Sequence, residues 1–306
     1  MKKQNVSLLK RSIFIIVIFV LAAGFIFGES FKPRFYLKFG GAGSTMKAGD
    51  FGDFVTISDT YWQKVSTQPS AYTYTSKIPS QFLGGSGEIG IETKRFSVGV
   101  SAGVIRKQVK MDYIYTSDLM GGSYTFNGQY TFTAVPIFLL FHYKLIDSKM
   151  FTASLTIGEG VYLTTYKEEN TRTNNTTSIP VTTETLKGKR NQPGFHAGAT
   201  FDIKLTSNIG FYIEGAYRFS KLENINAEYT TGDTGSTTPT KDTLYYTLDP
   251  NTKTAFFSAG KPKDALNSRT AVFKMNGVSL SAGIKITLGK GYKKEKPVAL
   301  PNEGIE

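Results

Sequence analysis

Residues 277–289 read GVSLSAGIKITLG. Val278, Leu280, Ala282, Ile284, Ile286 and Leu288 share one parity; Gly277, Ser279, Ser281, Gly283, Lys285 and Thr287 share the other. Strict period-two alternation marks a strand with one apolar and one polar face. Two kinds of protein use such a strand in opposite senses. A water-soluble domain packs the apolar face into its core, whereas a membrane barrel turns it to lipid and fills its interior with the polar face. The rest of the chain decides between them.

Seven further segments alternate in the same way, at about 34–43, 82–93, 96–112, 130–145, 150–166, 194–205 and 209–220, and the quoted strand completes an eighth at about 272–288. Each is long enough for the 9–11 tilted residues that cross a bilayer. Their connections also alternate. Lys94–Arg95, Asp147–Lys149 and Thr206–Asn208 are tight turns, while roughly 44–81, 113–129, 167–193 and 221–271 are long connections. Residues 106–132 are expected to form two strands that run past the membrane to a turn at Gly121 and Gly122. Residues 170–185 and 230–254, rich in Thr, Asn and Gly, are expected to be hydrated loops. No segment has a persuasive amphipathic helical pattern. The fold expected is all-β: an eight-stranded antiparallel up-and-down transmembrane barrel with short periplasmic turns and long extracellular loops.

The composition of the polar parity says which face is inside. A strand facing water is expected to carry Lys, Glu, Thr and Arg, yet here Gly, Ser and Ala dominate. Small residues suit the crowded interior of an eight-stranded barrel. The large residues of that parity are mostly charged, of both signs: Lys38, Glu88, Glu92, Asp202, Lys204, Glu214, Arg218 and Lys285. Enclosed charges have to be paired, so these eight are expected to form an interior ion-pair network, with Glu88 and Glu92 facing Arg218, Lys38 or Lys285. On the apolar parity, Phe35, Phe96, Phe141, Tyr143, Phe151, Tyr217 and Phe219 cluster near strand ends, as interfacial girdles do. Two residues break the pattern. Glu159 falls on the lipid-facing parity, so a bulge at Gly158–Gly160 is expected to turn it inward. Pro136 cannot donate to a ladder and should mark a bulge or an unpaired site. Phe138 and Leu140 follow on the inward parity, where they would plug the lumen.

The ends add an address. MKKQNVSLLKR followed by the apolar run 12–28 has the form of a secretory signal, expected to be cleaved. The domain reading is a signal peptide over 1–30, an outer-membrane barrel over 31–289 and a periplasmic tail over 290–306. Without the leader, four basic and one acidic residue go and the net charge falls from +12 to +9. Apart from KGYKKEK in the tail the excess is scattered, so no nucleic-acid partner is expected. The chain has no cysteine, hence no disulfide framework.

The stretches LGGSGEIGIE, FSVGVSAGV, VPIFLLFHYKL, GFYIEGAYRF and GVSLSAGIKITL resemble those of the small eight-stranded outer-membrane barrels, the class of outer-membrane proteins X and W and the N-terminal domain of outer-membrane protein A. The resemblance spans about residues 34–288. It departs from the pattern in the last strand, which ends on Ile286 and Leu288 where an aromatic is usual. It implies residence in the bacterial outer membrane among lipid and lipopolysaccharide, insertion by the barrel assembly machinery, and a monomer.

The function expected is a non-enzymatic structural or interaction role, in envelope integrity or in adhesion to an extracellular ligand through the long outer loops. The resemblance also implies two alternatives, a narrow channel for small or apolar solutes and a lipid A-modifying barrel enzyme. His142 and His196 are the only histidines, and neither has a Ser or acidic partner at recognisable catalytic spacing. No catalytic, metal or cofactor site is expected.

Overall fold

The computed structural model describes residues 33–47, 49–65, 73–74, 81–117, 122–176, 180–232, 239–249, 254–262 and 267–289. The expected signal peptide, the tail and Gly121 of the expected turn lie outside these residues.

Eight long strands form the wall: β1 (Arg34–Lys47), β2 (Gln81–Glu92), β3 (Phe96–Ser117), β4 (Gly122–Asp147), β5 (Phe151–Asn174), β6 (Pro180–Lys204), β7 (Ile209–Phe219) and, beyond the strands of the last outer connection, β11 (Asn276–Leu288). Each pairs antiparallel with the next. β11 pairs with β7 through Ser281↔Glu214 and with β1 through Lys38↔Lys285, which closes the ring. Closure leaves the barrel wall with no free edge, a condition for any sheet that crosses lipid. The three tight turns stand where the sequence expects them, each with a backbone bond across its mouth: Thr93 N–H to Phe96 O, Ser148 N–H to Phe151 O and Leu205 N–H to Ile209 O.

The outer connections hold more regular structure than their composition predicts. β4, β5 and β6 run far beyond the membrane, so the expected loop at 170–185 is largely the ends of β5 and β6. Within the expected loop at 230–254, β8 (Asn226–Thr231), β9 (Thr240–Asp249) and then β10 (Thr254–Ala259) extend the sheet from the outer half of β6. A helix, α1 (Asp50–Val65), stands between β1 and β2, contrary to the absence of any helical expectation. In each case an apolar face packs on one shared core: Tyr130, Tyr166, Leu186, Leu244 and Phe257 are all buried in it.

Both pattern-breaking residues are resolved differently from a simple bulge. Glu159 stays in register with Leu139 and Phe195, with no shift there, and so keeps the outward parity. Phe195 in turn pairs with Phe219, which places Glu159 at the outer aromatic girdle. A charge costs about 0–1 kcal/mol near the interface against about 2–4 for a basic residue at the midplane, so no bulge is required. The β5 register with β4 does shift, but at Lys144/Ile146 beside the periplasmic turn. At Pro136 the β3–β4 ladder lacks pairs between Ala102↔Ile137 and Ile105↔Ala134 while keeping one register. The proline thus produces an unpaired site without a bulge.

Candidate functional site

The parity question has a direct answer. Phe35, Leu37, Phe39, Ile89, Ile91, Val100, Leu155, Ile157, Phe201, Phe211, Ile213, Val278 and Leu280 are exposed on the outside, and the polar parity is buried. An apolar exterior around a polar, charged interior is inside-out for water and correct for lipid. The chain is a transmembrane β-barrel.

Its interior is organised in layers, beginning at the periplasmic end with Glu92, 1% exposed. This carboxylate receives the Arg34 guanidinium at 2.5 Å and the Lys285 ammonium at 2.9 Å, with Lys144 at 3.3 Å. Lys285 also donates to Asp202 at 2.8 Å, so it links two carboxylates across the lumen. One layer further out, Glu88 faces Lys38 at 3.6 Å, accepts from the Tyr36 hydroxyl and lies 2.7 Å from His142 Nε2. From there a polar chain follows the inner wall. His142 Nδ1 is 2.8 Å from Thr156 Oγ1, Thr156 is 3.3 Å from Thr200, and Thr200 donates to Glu214 at 3.1 Å. His196 Nε2 ends it, 3.3 Å from the other Glu214 oxygen.

Register explains these meetings. Arg34↔Glu92, Lys38↔Glu88, His142↔Thr156 and Thr200↔Glu214 are directly opposed pairs on neighbouring strands, where side chains stand about 4.5–5.5 Å apart at Cβ. Glycine provides the room. A Cβ on Gly99 would collide with the Tyr36 hydroxyl and sit 2.5 Å from Glu88 Oε1.

Six of the eight expected network residues, Lys38, Glu88, Glu92, Asp202, Glu214 and Lys285, stand in these layers. Two do not. Lys204 is half-buried at the periplasmic turn, where it pairs with Asp147 and donates to Ser148 O at 2.7 Å. Arg218 faces inward and is buried, but Glu88 and Glu92 are held by Lys38 and Lys285, the other two partners expected of them, and no carboxylate among the described residues lies within 4 Å of Arg218. Leaving such a charge uncompensated costs about 3–5 kcal/mol. Arg34, Tyr36, His142, Lys144 and the two threonines were not assigned to the network from sequence, although they share the inward parity of Lys38 and Glu214.

Above the charges the lumen is filled by apolar side chains. Phe138 and Leu140 are buried on the inward face as expected, and Phe138 meets the Tyr162 ring edge-on at 5.4 Å. The next tier is Phe82, Phe132 and Tyr166, and α1 caps it with Phe51, Phe54, Val55 and Ser58, a buried stripe at helical spacing. Phe51 is fully buried, 5.9 Å from both Phe132 and Tyr166 and 6.2 Å from Phe273. The first residue of α1 is clamped: Asp50 takes both terminal nitrogens of Arg269 at 2.7 and 2.5 Å, and exchanges two further bonds with the Val272 backbone. Carboxylates at Asp50 and Asp53 also suit the positive end of the helix dipole. Outside the plug an open cleft of about 570 Å³ lies between α1 and β9, lined by Asp53, Thr56, Tyr246, Leu248, Asn267 and Arg269 among others.

No family model matches the chain, and no curated protein matches it. Among solved structures it is similar to a major outer membrane protein from Thermus thermophilus, at 11% identity over 84% of this chain and 100% of that one, with a TM-score of 0.42. It is also similar to the outer membrane protein OprG from Pseudomonas aeruginosa (13% identity, 84% and 96% covered, TM-score 0.40). A third is the outer membrane protease OmpT from Escherichia coli (13%, 85% and 99%, TM-score 0.36). These likenesses are too distant to carry a role or a residue across. The closed eight-stranded ring, the apolar exterior and the charged interior are what make this chain an outer-membrane-type β-barrel.

Proposed function

We propose that this protein is a closed scaffold of the bacterial outer membrane, non-enzymatic and monomeric, that contributes to the envelope and meets an extracellular ligand through its outer strands. The observation that carries the reading is the aromatic plug: Phe51 of α1 is fully buried against Phe132, Tyr166 and Phe273 at the outer mouth. A barrel stoppered by its own core is poorly suited to passage. The ion pairs beneath serve to hold the interior closed, and His142 and His196 belong to that structural set, with Thr156, Glu88 and Glu214 as neighbours. Lipid and lipopolysaccharide surround the apolar belt, and the barrel assembly machinery inserts it. The outward side offers ordered surface, including the cleft beside Asp53 and Arg269 and the exposed lysines 187, 189 and 241.

Planar-bilayer recording tests the closure: the purified protein should give no stepwise conductance, and reproducible steps would overturn the scaffold reading. Adhesion is tested on cells displaying either the wild-type chain or one with Lys187, Lys189 and Lys241 changed to Glu. Equal attachment of the two, to every surface that the wild type binds, would remove this outer face from the interaction.

A further inference from the structure

The membrane-spanning interior is not neutral by its own side chains. Among the described residues five cations face it, Arg34, Lys38, Lys144, Arg218 and Lys285, against four carboxylates, Glu88, Glu92, Asp202 and Glu214. Three of these cations share Glu92 and Asp202, and Arg218 is the one cation of this set that no carboxylate reaches. Glu214 lies on the same strand four residues away, roughly 13 Å along it, and accepts from Thr200.

Polar groups without hydrogen-bond partners gather around Arg218. Arg218 is 7% exposed and its Nε has no hydrogen-bond partner. Tyr162, fully buried, has a hydroxyl with no partner either, and its ring lies over Gly194, beside the backbone of Phe219 next to Arg218. Both nitrogens of the buried His196 lack a hydrogen bond of proper geometry, and His196 stands directly opposite Arg218 in the β6–β7 register. Phe138 joins these groups, its ring 5.4 Å from Tyr162 and 5.7 Å from His196. On the other side Arg218 pairs with Gly277 of β11, which brings no side chain beside the guanidinium. Buried polar groups are normally satisfied, and several orphaned donors in one neighbourhood point to a missing acceptor. Water could accept hydrogen bonds there but could not balance the charge.

We propose that Arg218 and the Tyr162 hydroxyl bind a single small inorganic anion, of halide size, enclosed between the aromatic plug and the ion-pair layers. A monovalent ion matches the one guanidinium that no carboxylate reaches. The site is independent of the scaffold role, since a closed barrel needs an internal counterion whatever its outer surface binds.

Bromide is the probe. Crystals of the full chain, refolded in detergent and soaked in bromide, should show an anomalous peak within hydrogen-bond reach of the Arg218 guanidinium and the Tyr162 hydroxyl, lost in Arg218→Met. A wild-type crystal with no peak there, or with Arg218 paired to a carboxylate, overturns the proposal. A second measurement does not depend on Arg218→Met folding. With gluconate holding ionic strength constant, the wild-type unfolding midpoint should rise with chloride, because an ion bound only by the native state stabilises it, and Tyr162→Phe should blunt that rise. A flat wild-type response, or an identical slope in Tyr162→Phe, overturns the site.

Discussion

Glu92 has three cations around it, Arg34, Lys144 and Lys285, and removing its charge leaves them facing one another around a buried side chain. Glu92→Gln should therefore destabilise the barrel by about 3–5 kcal/mol, the range for breaking a buried pair, measured by urea unfolding from phospholipid vesicles. Lys204→Ala is the control: its partner Asp147 is equally half-exposed, and the loss should stay below about 1 kcal/mol. Above the membrane a different carboxylate responds to pH. Burial, with the hydrogen bonds from Tyr166 and Asn170 opposing it and the charge of Glu184 adding to it, pushes Glu168 up to about 7. A carboxyl whose folded pKa is raised contributes stability that is complete below its ordinary value and is lost as pH rises through about 7. The outer sheet should thus open more readily at pH 8 than at pH 5, and Glu168→Gln should flatten that dependence in hydrogen exchange of β5 and β6. Parity made most of the interior charges legible, because inside and outside differ by one residue in two. The partners of Glu88 and Glu92 were legible only as a set of three cations, of which Lys38 and Lys285 are the ones found, because Lys38↔Glu88 or Lys285↔Gly210 follow from the register of a closed ring, which no local stretch specifies. Arg34 and Lys144 stand near strand ends, where alternation is hardest to follow.

At the scale of elements, α1 is the part that sequence reasoning missed, and its composition shows why. DFGDFVTISDTYWQKV carries Gly52, β-branched Val55, Thr56, Ile57 and Thr60, and only Phe51, Phe54 and Val55 as its buried apolar stripe. Such a segment has weak intrinsic preference for a helix, so its conformation comes from the aromatic pocket that receives it. The same cause hid the outer strands: Thr- and Asn-rich stretches of β5 and β6 are held by their ladder and by inward Tyr166 and Leu186. A helix held by tertiary packing should be lost when the packing goes. Phe51→Ala, which empties the space among Phe132, Tyr166 and Phe273, should cost about 3–5 kcal/mol. The loss should be local: amide exchange should rise across α1 while that of β7 and β11 stays as in the wild type. Uniform acceleration through the barrel wall would mean that the plug and the wall unfold as one unit.

For the whole molecule, two barriers stand in series along one axis. The aromatic plug closes the outer mouth, and beneath it Lys285 crosses the lumen from Glu92 to Asp202 while Glu88 and Lys38 fill the next level. The barriers differ in what they exclude. An apolar plug held at one end by the Asp50–Arg269 clamp can loosen without touching the wall, whereas the charged layers are fastened to strands of the closed ring and move only if the ring does. Loosening the plug alone should admit small apolar molecules to the upper lumen and still pass no ions. The double variant Asp50→Ala/Phe51→Ala is thus expected to bind an environment-sensitive apolar dye that the wild type excludes, and to remain silent in planar bilayers. If the double variant conducts, the ion-pair layers are not a seal, and the plug is the gate of a channel; if it neither binds dye nor conducts, the plug is held by the surrounding tier of Phe82, Phe132 and Tyr166 and not by α1.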